Sequence, residues 1–339
     1  MGGRNGDGVR ALRIAVTLAM AGALIGCAAP RDPWDLGAGR GRVAAIVEWH
    51  DADAQVHSEL RLFGPGENRP LDVAAPRTAR WLDERHLLVG VRSPPAEGDY
   101  VPRVQIRVVD LDSGESRAIG RNGLYFDLEP SPDGALLALG VQQAGLGDSD
   151  LQIWDLRAPR EPLAERAQTL DRPRWSPDGR HLAVSLSMPD SDDAEVHDGV
   201  SIEGVALSWP RLFRLRRDLV GKLEPLHDGV PGGAPAPGGT LPLWWDARGI
   251  WARQRAGLVR CDPEGGGCTL VYAPAGRRSV LGGCTFRGGE AWLLVMNEAT
   301  AGGDHLANEM HRVDLASGTL LDRWRAPAGR FVADLDCGD

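Results

Sequence analysis

Four histidines stand among carboxylates where acid–base or metal chemistry could be assembled. His50 and His57 flank Asp51 and Asp53, His197 follows Asp190, Asp192 and Asp193, and His305 adjoins Asp304. Imidazole and carboxylate together can serve as general base and acid, with His50, His57 or His197 in that role, or can ligate a divalent cation. Asp99, Asp148 and Asp150 carry charge in further stretches of the same kind. Converging carboxylates would also draw in a basic protein or peptide by focusing field at the mouth of a cleft. The plainer reading is a set of solvated loops on an acidic protein. No two histidines show a ligand spacing with a mechanism behind it, and Asp190-Ser191-Asp192-Asp193-Ala194-Glu195 lacks the glycine and terminal Glu of a calcium loop. No metal or cofactor is therefore assigned, a bound divalent cation being the one occupant these loops would admit. The sequence has no G-x-S-x-G, no H-E-x-x-H and no glycine-rich phosphate loop, so no catalytic residue is assigned either.

The elements that must position these residues are short. In 339 residues there are 44 glycines and 24 prolines, which argues against long helices, while 42% apolar content with 11 tryptophans provides for a packed core. The balance of 38 basic against 47 acidic side chains gives a net charge of −9 and argues against binding a nucleic-acid backbone.

One supersecondary unit recurs along the chain. Its clearest copy, PRWSPDGRHLAVSL at 173–186, joins two strands through Pro177, Asp178 and Gly179, residues suited in turn to a preset φ, a tolerant turn position and a positive φ. After the turn Leu182, Val184 and Leu186 alternate with small residues, a strand with one larger apolar face. PSPDGALLAL at 130–139 repeats this chemistry, with degenerate copies at 81–89, 245–251 and 286–294. Each is followed by a second hairpin, best seen in QIRVVDLDSGE at 105–115, with counterparts beginning near Leu60, Leu151, Leu212, Leu258 and Met310. Five inner and six outer hairpins leave one inner strand missing. Residues 43–48 need a partner, and residues 330–336 can supply it, closing a ring with strands from both termini.

The SPDGR-L-A pattern resembles the WD40-like PD40 repeat of TolB-type β-propellers. The resemblance spans residues 41–339 and implies an all-β, six-bladed propeller of four-stranded antiparallel blades. TolB has a further N-terminal α/β domain, for which the roughly 14 residues between Cys27 and the first strand leave no room. Within the ring, loops joining second to third strands gather on one face at 49–58, 93–103, 142–150, 188–210 and 297–309, and these carry the histidines and carboxylates above. The hairpins also place the cysteines. Four cysteines after Cys27 allow three pairings; Cys261 and Cys268 flank one outer turn, while Cys284 and Cys337 fall on the innermost strands of neighbouring blades, so Cys261–Cys268 and Cys284–Cys337 are the candidate disulfides, the alternative being that one or both pairs stay as buried thiols.

The start of the chain gives an address. Arg4, Arg10 and Arg13 precede the apolar run 14–24, a signal too short to span a bilayer. Leu24-Ile25-Gly26-Cys27 resembles the bacterial lipobox, which implies removal of residues 1–26 and acylation of Cys27, with residues 27–40 as the acylated cysteine and its flexible tether. Cleavage removes three arginines and Asp7, leaving 35 basic and 46 acidic side chains and a net of −11. Ala28 after the cysteine implies the outer membrane facing the periplasm, if the cell is Gram-negative. The expected role is a binding or scaffolding surface for another envelope protein or peptide, on a membrane reached through the lipid anchor. The alternatives are a hydrolase or lyase with an acidic/His site at the channel mouth, and a small-ligand or metal sensor.

Overall fold

The two Ser-Pro-Asp-Gly turns fold alike. In each, the glycine N–H donates to the serine carbonyl at 2.8 Å, the serine hydroxyl meets the aspartate carboxylate at 2.6 Å, and the same hydroxyl accepts the N–H of Leu136 or His181 at 2.9 Å. Gly134 and Gly179 both sit at φ +65°, a region that costs a residue with a β-carbon roughly 1–2 kcal/mol.

The computed structural model describes residues 41–338 except 54, 66, 94–102, 143–148, 168–169, 187–210, 227–238, 287–288 and 300–305. The chain opens the first blade with β1 (Arg42–His50), β2 (Val56–Gly64) and β3 (Glu67–Leu71). The second blade is β4 (Pro76–Trp81), β5 (His86–Arg92), β6 (Val104–Asp110) and β7 (Ser116–Gly123); the third is β8 (Tyr125–Pro130), β9 (Leu136–Gln142), β10 (Ser149–Asp155) and β11 (Pro162–Ala167). The fourth is β12 (Leu170–Trp175), β13 (His181–Leu186), β14 (Arg211–Arg216) and β15 (Glu224–Pro225). The fifth is β16 (Leu241–Asp246), β17 (Gly249–Gln254), β18 (Gly257–Cys261) and β19 (Cys268–Tyr272). The sixth is β20 (Arg278–Thr285), β21 (Glu290–Asn297), β22 (Glu309–Asp314) and β23 (Thr319–Arg325), after which β24 (Arg330–Gly338) returns to the first. Five sheets run in chain order and the first runs β24-β1-β2-β3. The protein is a six-bladed β-propeller, closed as the repeat count requires: β24 lies antiparallel to β1 from Arg42↔Gly338 to Trp49↔Arg330.

Side-chain alternation packs each blade against both neighbours. On β1, Val43 and Ala45 join the sixth blade's Cys284, Trp292 and Leu294, whereas Ala44 and Ile46 join the second blade's Ala79, Leu87 and Val89. On β13, Leu182, Val184 and Leu186 face Ala138, Leu151 and Ile153 of the third blade, and Ala183 faces Ile250 and Ala252 of the fifth. The large-and-small rhythm read from the sequence therefore reflects a wide gap on one side and a narrow one on the other. Both expected disulfides are present. Cys261 and Cys268 are direct cross-strand partners, and Cys284 on β20 is bonded to Cys337 on β24 with Cα atoms 5.4 Å apart.

Every innermost strand also carries a register shift against its neighbour, at 76/78, 125/127, 171/174, 242/244, 280/282 and, in the closing pair, 46/47. Such bulges bend the strand and re-aim the side chains at the shift. Because strands alternate in direction, second-to-third connections and blade-to-blade links leave at one end of the ring, and the tight turns leave at the other.

Candidate functional site

The six innermost strands enclose an axial cavity of about 470 Å³. Arg80 on β4, Glu129 on β8 and Arg174 on β12, each one residue before the end of its strand, line its turn-side part together with Trp244 on β16 and with Asp334 and Asp336 from β24. Arg80 Nη1 lies 2.6 Å from Asp334, Arg80 Nε 3.8 Å from Glu129, and Arg174 Nη1 3.3 Å from Glu129. Asp334 also accepts the Thr78 hydroxyl and the Ala79 N–H, and Asp336 accepts the Trp81 N–H at 2.8 Å. These bonds tie the closing strand to the second blade. Burial would pull the Arg80 guanidinium down, but Asp334, Asp336 and Glu129 outweigh it and hold its pKa above the ordinary value. Burial also pushes Glu129 up to about 7, against the opposing charges of Arg174 and Arg80, and Asp336 up to about 6.

Toward the long-loop end the wall changes character. Among the described residues, Arg77 and Arg92 of the second blade, Arg172 of the fourth and Arg253 of the fifth line it with Glu48 and Asp127, four cations to two anions. Arg92 is ion-paired with Glu48. Asp127 accepts the backbone N–H of Arg172 at 3.0 Å, and Arg172 sits at φ +54° inside the β12 bulge. Arg253 is pulled down to about 10 by burial and then by the charge of Arg172; burial and Arg92 lower Arg77 as well, with Glu48 and Asp127 opposing. A cation lowered by burial and by like charge is what a counter-charge would stabilise.

The structure unites some of the residues singled out in the sequence. Asp51 Oδ2 and His57 Nε2 are 2.6 Å apart, and Asp51 Oδ1 accepts the N–H groups of Asp53 and Gln55. The His57 hydrogen bond is the first cause of an Asp51 pKa below the ordinary carboxylate value. The His57 ring stacks on Trp49 at 5.5 Å, and the Arg330 guanidinium lies 4.1 Å from the other ring system of that pair, Trp49. His50, Asp51 and Asp53 are exposed at the same rim, outside the cavity lining. Asp150, read as a loop carboxylate, is instead a buried residue of β10. Cys27, Asp99, Asp148, Asp190, Asp192, Asp193, His197, Asp304 and His305 lie outside the described residues. Among the described residues, no three His, Cys, Asp or Glu side chains converge as metal ligands.

Sequence reasoning expected a channel but missed the residues that line it. Their signal was the residue just before the last position of three innermost strands, Arg80 before Trp81, Glu129 before Pro130 and Arg174 before Trp175, a place that the ring symmetry turns toward the axis.

No protein-family model matches the chain, and no curated protein sequence does so either. Solved structures do match. TolB from Acinetobacter baumannii aligns at a TM-score of 0.55 and 14% identity, over 88% of this chain and 67% of that one. The fold is that of the TolB propeller. A chain of a nidogen/laminin complex aligns at 0.55 and 12%, over 88% and 98%; an acylaminoacyl peptidase of Pyrococcus horikoshii aligns at 0.52 and 12%, over 86% of this chain but only 44% of its own. At such identities the likeness establishes the fold and nothing of the chemistry built on it.

Proposed function

We propose that this chain is an exported, lipid-anchored binding propeller that holds an envelope protein or peptide on its long-loop face. The observation carrying this reading is the axial cavity itself, whose long-loop end is lined, among the described residues, by more guanidinium groups than carboxylates. A ring closed by a β-strand and a disulfide offers such a surface without moving parts. Protein complexes occur among propellers of this fold, as the nidogen/laminin structure illustrates for its own chain. The hydrolase or lyase reading would draw on the Asp51–His57 couple, a carboxylate–imidazole pair suited to general base work. That pair lies at the outer rim, away from the cavity, which favours binding over turnover.

An anchor on Cys27 would suit this reading. The described chain enters the ring at the start of β1, on the tight-turn end, so a lipid on Cys27 would favour leaving the long loops free. Photo-cross-linking in intact cells tests the reading. A cross-linking residue in place of exposed His50 is expected to trap a specific envelope protein, while one in place of Asp178 on the turn end traps none. No adduct from position 50, or the same adducts from both positions, would overturn it.

A further inference from the structure

We propose that the tight-turn corner formed by blades 3 and 4 is a lipid-contact surface, on which Arg180, Arg216, Arg217 and Lys222 meet anionic phospholipid headgroups while Val220 and Leu163 enter the apolar boundary beneath them. The inference rests on the membrane-attached reading above for its setting. It concerns how the ring is oriented on the membrane, which acyl chains alone would leave free.

Three observations converge on this corner. The two most exposed large apolar side chains among the described residues are Val220, at 68%, and Leu163, at 64%. Val220 stands on the turn between β14 and β15 and Leu163 at the start of β11, and Arg166 of β11 ties strand to turn by donating to the carbonyls of Leu219 and Gly221, on either side of Val220. Leu219 is buried at φ +57°, a region unfavourable for a bulky side chain, so the strained turn keeps Leu219 in the core and sends Val220 outward. Charge is the second observation. An open groove at the turn end of blade 4 is lined by Arg180, His181, Arg216 and Arg217 with Asp178 and Asp218. Arg216 is paired with Asp218 at 2.8 Å and Arg180 lies 3.9 Å from Asp178, whereas neither Arg217 nor Lys222 makes an ion pair among the described residues. Blade 3 continues the surplus at 156–161, with Arg157 and Arg160 against Glu161, while the matching turns of blades 2 and 5, at 111–115 and 262–267, carry only carboxylates. Thirdly, the corner lies at the end of the ring where the chain enters β1, the end that an anchor on Cys27 would bring to the membrane.

Exposed apolar side chains standing among cations suit the interface of an anionic bilayer, where the one group leaves water and the other meets phosphate. Guanidinium groups bind phosphate oxygens through parallel N–H bonds, and each Lys or Arg near such a surface favours the contact by roughly fivefold. The acidic turns of blades 2 and 5 keep the rest of this end off the surface, so contact is made by the corner and the long-loop face is left toward the aqueous side. A body of net charge −9 is not held by a few cations; the corner orients a chain that lipid retains.

Lys222 is the chain's single lysine, so its reaction with a soluble amine reagent, read on the peptide that contains it, reports on this corner directly. The chain isolated from cells is placed on vesicles of phosphatidylcholine, or of phosphatidylcholine mixed with phosphatidylglycerol. Lys222 is expected to react at least about threefold more slowly on the mixed vesicles at low salt, and the difference should vanish at high salt. Arg217→Glu and Val220→Asp, at exposed positions, should each abolish the protection. Arg277→Glu makes the same change in net charge on the exposed long-loop end and should preserve it. Equal rates on the two kinds of vesicle, protection that survives both corner substitutions, or protection lost equally in Arg277→Glu would each overturn the proposal. The intact mass reports acylation of Cys27 separately. An unacylated chain protected on the mixed vesicles would refute the anchor and keep the corner, and an acylated chain that reacts equally on both would do the reverse.

Discussion

Glu129 and Glu309 are one side chain in two electrostatic settings, and they respond to pH with opposite sign. Glu309, on β22, is buried, but hydrogen bonds from Arg278, Asn297 and His311 outweigh that burial and hold its pKa at about 2. It favours the folded state above the ordinary carboxylate range, and that contribution is lost as pH falls toward 2. Glu129 faces Arg80, Arg174, Asp127 and Asp336, and burial dominates, lifting it to about 7. Here the folded state binds the proton more tightly than the unfolded chain, so its contribution is complete below pH 4–5 and drains away as pH rises through 7. Asp336, raised to about 6, adds in the same direction. Each group can tilt stability by at most about 1.4 kcal/mol per pH unit. Urea midpoints measured from pH 5 to 8 should therefore fall more steeply for the wild type than for Glu129→Gln, which lacks this titration; parallel profiles would refute the assignment. At this scale the sequence was least informative. The histidine-and-carboxylate loops advertise chemistry by residue type, and Asp51 and His57 do meet, but the channel arginines come from blades far apart in the chain. Only the closed ring makes Arg77, Arg172 and Arg253 neighbours, and the bulges that re-aim them have no residue signature.

Hairpins, by contrast, are local, and so they were legible. Two-residue alternation and Pro-Asp-Gly chemistry act within a dozen residues, which is why the strand pairs around 173–186 and 130–139 fall where the pattern places them. β15, only two residues long, shows where a degenerate outer repeat loses its signal. The cysteine pairings followed from the hairpins, and their unequal loop lengths set up a comparison. Cys261–Cys268 closes a separation of 7 residues within one hairpin, whereas Cys284–Cys337 closes 53 and crosses from β20 to β24. On the chain-entropy model these correspond to about 2 and about 4 kcal/mol of stabilisation. Cys337→Ala should accordingly lower the denaturation midpoint more than Cys268→Ala, because it also releases the strand that holds the first blade to the second through Asp334 and Asp336. Equal losses, or a larger one from Cys268→Ala, would mean that β24 is held by its ladder and ion pairs alone.

The whole molecule is acidic, a character that composition gives and the axial cavity does not repeat. The chain as a whole carries −9, yet among the described residues the long-loop end of its channel is lined by more arginines than carboxylates. The net charge of the body offers no attraction to an anionic membrane surface, so the membrane attachment proposed above would have to come from elsewhere. Acylation of Cys27 would supply the means. Acyl chains on its sulfur and amino group would contribute about 0.8 kcal/mol per buried methylene, and two or more chains make a stable anchor where one would not. Cys27→Ser leaves the sequence of residues 41–338 unchanged, so the variant should keep its melting temperature and its disulfides. In cell fractionation it should move from the membrane pellet to the soluble periplasmic fraction, still folded. Retention of Cys27→Ser in the membrane would show that the protein is held by a bound partner or by its own surface rather than by lipid.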